Sequence, residues 1–189
     1  MRRAVARDPD DPVDSPPADP NHVARAILLR RLEAAPRTRA ELARTLSDRG
    51  VPDDVARAAL DRFEEVGLVD DRLFARMWVD SRQSGRGLSG RALRAELRRK
   101  GVDEAVITES LAELSPEVER VTAVDLARRR AMGMEGLPGH VAGRRLMSFL
   151  ARKGYSPGVA AAAVREVLNS EDVLMVEDDG SPLGGEHLR

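Results

Sequence analysis

The chain has no cysteine in its 189 residues, which excludes disulfides, thiolate metal sites and cysteine nucleophiles. Aromatic residues make up only 3%; sheets lean on aromatic and β-branched side chains, so a β-rich architecture is disfavoured. No apolar run approaches a membrane span, and the Asp- and Pro-rich N-terminus lacks the features of a signal peptide. The expectation is a cytoplasmic protein with no membrane partner. Histidine is scarce too, with His22, His140 and His187 scattered along the chain, and HExxH, GxSxG and P-loop patterns are absent. The glycines of SGRGLSG (residues 84–90) lack phosphate-loop spacing and no strand precedes them, so this stretch reads as a flexible connection between helices. The chain therefore reads as a non-enzyme that needs neither cofactor nor metal.

What is abundant is charge, at 33% of residues, distributed unevenly. Residues 1–20 hold three Arg against five Asp, a net of −2, and residues 170–189 hold one Arg against six acids, a net of −5. The intervening 21–169 hold 27 cations and 21 anions, a net of +6. A basic body permits a polyanionic partner, either nucleic acid or an acidic protein face; a solvated helical surface accounts for an excess of this size equally well. In the N-terminal stretch 1–20, residues 7–20 alternate Pro with Asp, and the stretch is expected to be disordered. The acidic, Gly-rich stretch 170–189 is expected to be a flexible tail in which Val173 to Val176 could dock locally.

Between these ends the chain repeats itself. LARTLSDRGV (42–51), LRAELRRKGV (93–102) and LMSFLARKGY (146–155) align on Gly50, Gly101 and Gly154. Leu stands eight and four residues before each Gly, a cation directly before it, and Val51, Val102 or Tyr155 directly after it. Val55, Val106 and Val159 follow at +5; Leu60, Leu111 and Val164 at +10; Phe63, Leu114 and Val167 at +13. A period near fifty residues marks a repeat array. The two leucines lie one turn apart on one helix face, the Gly supplies a left-handed C-cap, and the cation complements the helix dipole. Asp103, Ser156-Pro157 and Pro52-Asp53-Asp54 start the next helix, whose apolar residues keep helical spacing. A further helix precedes each pair, at about 22–34, 71–83 and 116–132. The predicted fold is all-α: three tandem three-helix repeats covering 21–69, 70–115 and 116–169.

Residues 72–100 are the most one-sided segment. Arg72, Arg76, Arg82, Arg86, Arg91, Arg94, Arg98, Arg99 and Lys100 face only Asp80 and Glu96, a net of +7. With Leu93 and Leu97 turned inward, Arg91, Arg94 and Arg98 form a ridge at i, i+3 and i+7. Guanidinium offers bidentate pairing to phosphate or carboxylate, so the segment reads as a binding surface. Asp70 and Asp71 are expected to cap the helix carrying Phe74 and Trp78, and not to bind metal. The stripe Leu73, Phe74, Met77, Trp78 reads as core.

A second reading takes residues 41–71 as a DNA-binding winged helix, since the stretch has that rhythm and ends in GLV. Yet DDRLFARMWVD resumes a helix where a wing is needed. The recognition helix would also carry Asp54, Asp61, Glu64 and Glu65 against Arg57 and Arg62, poor equipment for a phosphate-lined groove.

At residues 66–102, VGLVDDRLFARMWVDSRQSGRGLSGRALRAELRRKGV, the chain resembles the RecX family of bacterial RecA regulators. The matching features are GLVDD beginning at Gly67, then FA and WV in one helix, then a Gly-rich step, then EL-x-x-KG and an apolar residue. The resemblance covers about residues 25–168. It implies an elongated, curved helical array, working as a monomer in the groove of the RecA–DNA filament. There it would restrain ATP hydrolysis, strand exchange and co-protease activity, and so modulate DNA repair and the SOS response, with weak, non-specific contact to single- or double-stranded DNA. The residues expected at RecA or DNA are Arg82, Arg86, Arg91, Arg94, Arg98, Arg99 and Lys100, with Arg144, Arg145, Arg152 and Lys153 at equivalent places in the third repeat. The long acidic ends lie outside the family's pattern.

Overall fold

The structure is a computed structural model that describes residues 19–176, with side chains described through Asn169. The expected disorder of 1–20 and the flexibility of the tail therefore fall almost entirely outside the described residues, although the last helix continues to Val176. Among the described residues there are nine α-helices and no strand: α1 (Pro20–Ala34), α2 (Arg39–Ser47), α3 (Asp53–Glu65), α4 (Asp71–Arg86), α5 (Gly90–Lys100), α6 (Glu104–Ser110), α7 (Pro116–Ala131), α8 (Gly139–Arg152) and α9 (Pro157–Val176). A short 3-10 turn, Met132–Met134, follows α7. Three helices per repeat is the order expected from the periodicity.

The repeated signature has one structural cause. In each copy the N–H of the residue after Gly donates to the carbonyl of the Leu at −4: Val51 to Leu46 at 3.1 Å, Val102 to Leu97 at 3.2 Å, Tyr155 to Leu150 at 3.2 Å. The Gly N–H donates three residues back, to Ser47, Arg98 or Ala151, at 2.9–3.0 Å. This is a Schellman cap, which needs a left-handed residue and brings the flanking apolar residues into contact. Gly50, Gly101 and Gly154 have φ of 72°, 79° and 93°. The leucines at −4 and −8 and the apolar residue at +1 are buried in all three copies. Burying one such leucine contributes roughly 1.5–3 kcal/mol, so each signature serves as cap and core together.

Only the first inward position of the following helix lies one residue later than expected. Val55, Val106 and Val159 at +5 are only half-buried, whereas Ala56, Ile107 and Ala160 at +6 are buried. At +10 the expectation holds. The middle copy is also cut short: α6 has 7 residues where α3 has 13. Pro116 opens α7 and holds Ser115 in extended backbone, at φ −64° and ψ 157°. The chain must leave the helix before it, which puts Leu114 just after the turn 111–113, half-buried.

The chain divides into two compact units, the first ending at Phe74 and the second beginning at Ala75. In the first, α1 and α2 pack on α3 around Ala24, Leu28, Leu42, Leu46, Leu60 and Phe63. The acidic face of α3 is used inside this unit: Arg39 on α2 pairs with Asp61 at 2.7 Å and Glu64 at 2.5 Å. Buried Thr38 and Glu41 form a capping box at the start of α2. Of the two aspartates expected to cap α4, Asp70 does so, accepting from the Leu73 N–H at 2.9 Å. Asp71 instead caps α2, accepting from the Arg39 N–H at 2.9 Å. Asp71 is already the first residue of α4, and Asp70 has taken the cap position. Burial raises the Asp71 carboxyl above the usual range, opposed by the Arg39 backbone bond.

The second unit holds the rest of α4 together with α5 to α9. Here α7 packs on α8 and α9, around Ala123, Val124, Ala127, Leu146, Leu150 and Ala163.

Candidate functional site: the basic surfaces of the second unit

On α4 the expected core stripe splits. Phe74, Ala75 and Val79 are buried, but Leu73 and Met77 are 48% and 51% exposed. Trp78 is half-buried and held by cations, with the Arg82 guanidinium 4.1 Å and the Lys100 ammonium 4.3 Å from its ring centroid. Its Nε1–H donates to Glu96 Oε2 at 2.8 Å, and Arg82 Nε lies 3.5 Å from the same oxygen. Trp78 is thus not core; the tryptophan and Glu96 organise two of the predicted binding cations against the protein itself.

The predicted ridge on α5 is likewise occupied from within. Arg94 Nη1 contacts Glu104 Oε1, Arg98 Nε pairs with Glu104 Oε2 at 2.7 Å, and Arg91 Nε donates to the Gly154 carbonyl at 3.0 Å. The Arg98 hydrogen bond is the chief reason the Glu104 carboxyl lies below its usual range. Arg99 is exposed on the same helix, without an ion pair among the described residues.

SGRGLSG is not a flexible connection: Ser84 to Arg86 complete α4, Gly90 opens α5, and the three residues between them form a socket. Gly87 is buried, with φ 57°, and a Cβ there would stand 2.7 Å from Leu126 of α7. Into this socket fits the third repeat's own signature turn. Lys153 Nζ donates to the Arg86 carbonyl, the Ser89 N–H to the Lys153 carbonyl at 3.1 Å, and the Tyr155 hydroxyl to the Gly87 carbonyl at 3.1 Å. A Cβ on Gly154 would lie 2.6 Å from both Ala92 Cβ and Ser89 Oγ. Glu119 of α7 accepts from the Gly90 N–H at 2.5 Å, at the positive end of α5. Burial, with Glu119 nearby, pushes the Tyr155 phenol up to about 12. Burial and the charges of Arg86 and Arg129 lower the Lys153 ammonium. Repeats two and three are interlocked, and Lys153 belongs to the lock.

The remaining arginines of the third repeat stand differently. Arg144, Ser148 and Arg152 lie on one face of α8 at four-residue steps, with Arg145 beside them. Together with Arg130 at the end of α7 they line a cleft of about 650 Å³, whose other walls include Met134 and Val141. Among the described residues no acidic side chain lines it. None of the four arginines makes an ion pair among the described residues; Arg130 lies 5.8 Å from the Phe149 ring centroid.

Of the predicted binding residues, the fold therefore gathers Arg144, Arg145 and Arg152 into one open site. It binds Arg82, Arg91, Arg94, Arg98, Lys100 and Lys153 to internal partners, and leaves Arg86 and Arg99 on the surface. Sequence reasoning missed Arg130, which stands in an Arg128–Arg130 run far from Arg144. It also missed Glu104, four residues beyond the basic window. A helix-wheel pairing of α5 with the next helix was the available signal for Glu104.

Fold and surfaces together define a tandem three-helix-repeat protein with arginine-rich faces. The RecX profile for the first three-helix domain matches residues 24–63, and that for the second matches 70–111. Regulatory protein RecX of Thermobifida fusca (strain YX) is 52% identical over 172 residues, covering 91% of this chain and 93% of that protein. The Streptomyces coelicolor protein of the same name is 48% identical, covering 87% and 89%. The chain belongs to the RecX family, whose members here carry the name regulatory protein. Among solved structures, RecX from Lactobacillus salivarius aligns with a TM-score of 0.71 at 18% identity, covering 80% of this chain and 98% of that one. A second regulatory protein RecX aligns at 0.66 and 22% identity, covering 80% and 73%. Both share the all-α fold.

Proposed function

We propose that this chain regulates the RecA recombinase by lodging along the RecA–DNA filament and restraining ATP hydrolysis, strand exchange and co-protease activity, and through these DNA repair and the SOS response. The carrying observation is the 52% identity to a regulatory protein RecX across more than nine-tenths of both chains. The mechanism is steric and electrostatic. Repeated modules on one chain span several RecA protomers and resist the subunit rearrangements that hydrolysis requires. Several weak contacts on one chain add to an avidity that none reaches alone. The protein acts in the cytoplasm as a monomer, and touches DNA weakly and without sequence preference. A winged-helix regulator is the poorer reading, because α4 occupies residues 71–86 where a wing is needed.

The experiment is RecA ATPase on single-stranded DNA with and without the protein. Inhibition at sub-stoichiometric ratios to RecA is expected, and an unchanged rate across the titration rejects the proposal. Reversing Arg94 and Arg98 to Glu, with helicity checked by circular dichroism, then asks whether the α5 ridge is a filament contact; undiminished inhibition removes it from the interface.

A further inference from the structure

The arginine cleft between α7 and α8 differs from every other basic cluster described above: it is concave, and its guanidiniums meet no carboxylate among the described residues. Arg152 and Arg130 stand near helix C-termini, where a cation is favoured by the dipole alone. That explanation does not reach Arg144 and Arg145, which lie mid-helix on α8. Four like charges converging on one cleft repel one another, a cost that an anion relieves. Arginine brings five N–H donors in a rigid fork suited to phosphate oxygens, and Ser148 adds a hydroxyl that donates or accepts.

The arrangement also bears on which anion. Arg144, Ser148 and Arg152 recur at four-residue steps, about 6 Å apart along the helix axis. Such a row meets a polymer with a charge on every unit better than it meets one carboxylate. Met134 and Val141 supply apolar wall beside the charges, a surface for sugar and base edges.

We propose that this cleft seats the phosphate backbone of single-stranded nucleic acid, with Arg130, Arg144, Arg145 and Arg152 as the phosphate contacts. The proposal deepens the filament reading and rests on it for the identity of the polymer. In this division of labour the third repeat holds the strand, while the interlock with the second repeat fixes where that grip lies relative to α5.

The test is fluorescence anisotropy of a labelled oligo-dT with the full chain, across a salt series. Arg145→Glu/Arg152→Glu is compared with Arg30→Glu/Arg57→Glu, which makes the same change in net charge on the first unit. Each lost phosphate contact lowers the slope of log K against log salt by about 0.7 for single strands. The cleft variant should therefore lose about 1.4 in slope and roughly tenfold or more in affinity at low salt, while the control stays near wild type. Arg145→Lys/Arg152→Lys should retain most of the slope, which keeps the proposal testable if the reversal disturbs folding. Equal losses in the cleft and control variants, or unchanged oligo-dT binding by the cleft variant, overturn the proposal. Retained oligo-dT binding with lost association to RecA also overturns it, and assigns the cleft to an acidic protein face. RecA ATPase run on the same samples separates the two readings. Intact inhibition beside cleft-independent oligo-dT binding sinks the cleft alone, and absent inhibition beside cleft-dependent binding sinks only the filament reading.

Discussion

Helices α5 and α8 are the same element in successive repeats, both ending in Leu-x3-Leu-x2-basic-Gly, and both are rich in arginine. On α5 the arginines turn to Glu104 and to the Gly154 carbonyl; on α8, Arg144, Arg145 and Arg152 turn to a cleft without an acid among the described residues. The more basic stretch of sequence is thus the less available one. A count of charge in a window measures how many guanidiniums there are, not how many still have donors to offer. Availability depends on which acids the fold brings alongside, and Glu104 arrives from the next helix.

The strongest way to break the comparison is to separate the two repeats. Gly154→Ala places a side chain at φ 93°, where its Cβ meets Ala92 and Ser89. The left-handed backbone costs about 1–2 kcal/mol and the crowding about 1–3 more. Gly50→Ala, with nothing within 4 Å of its Cβ, should lose only the backbone share. Urea unfolding of the two variants followed by circular dichroism checks the gap. Equal losses would mean that the third signature turn is a cap and not a plug.

A gentler break is Tyr155→Phe, which leaves the Gly87 carbonyl without its donor at a cost of about 1–3 kcal/mol. The phenol is raised to about 12 in the fold, above its unfolded value near 10. Its contribution is therefore fully present below about pH 10 and is lost as pH rises towards 12. Wild type and variant should converge in stability over that alkaline window, and a gap that persists through it would rule out the hydroxyl as the cause.

Glu104→Gln sharpens the comparison and is the smallest effect. It releases Arg94 and Arg98, so the α5 ridge should come to resemble the α8 cleft, with oligo-dT affinity rising roughly two- to fivefold at low salt. Because the Glu104 carboxyl sits below its ordinary range, the pairing in wild type persists above that range and fails only as pH falls through the lowered value. The affinity difference between wild type and variant should then vanish in acid. No gain at neutral pH would show that the pair already exchanges freely with a bound phosphate.

How much of this was legible varies with the reach of each interaction. The caps at Gly50, Gly101 and Gly154 and the buried leucines before them could be read directly, because a Schellman cap involves residues within five positions of one another. The shift from +5 to +6 on the following helices was not legible, since adjacent Val-Ala and Val-Ile pairs satisfy either register until neighbouring helices choose. Trp78 was read as core from its spacing, yet the cations that hold it come from its own helix and from the end of α5. SGRGLSG looked pliable because its glycines were judged alone, without the turn that fills them.

The sequence by itself determined the helical repeat, its caps, its inward leucines and its family, all consequences of backbone geometry and short-range periodicity. Only the tertiary structure decided that two repeats lock through Gly87, Gly154 and Tyr155, and which arginines remain open to a partner. Both depend on residues up to 68 positions apart, and the pull of a carboxylate on a guanidinium follows distance in space, which position along the chain does not reveal.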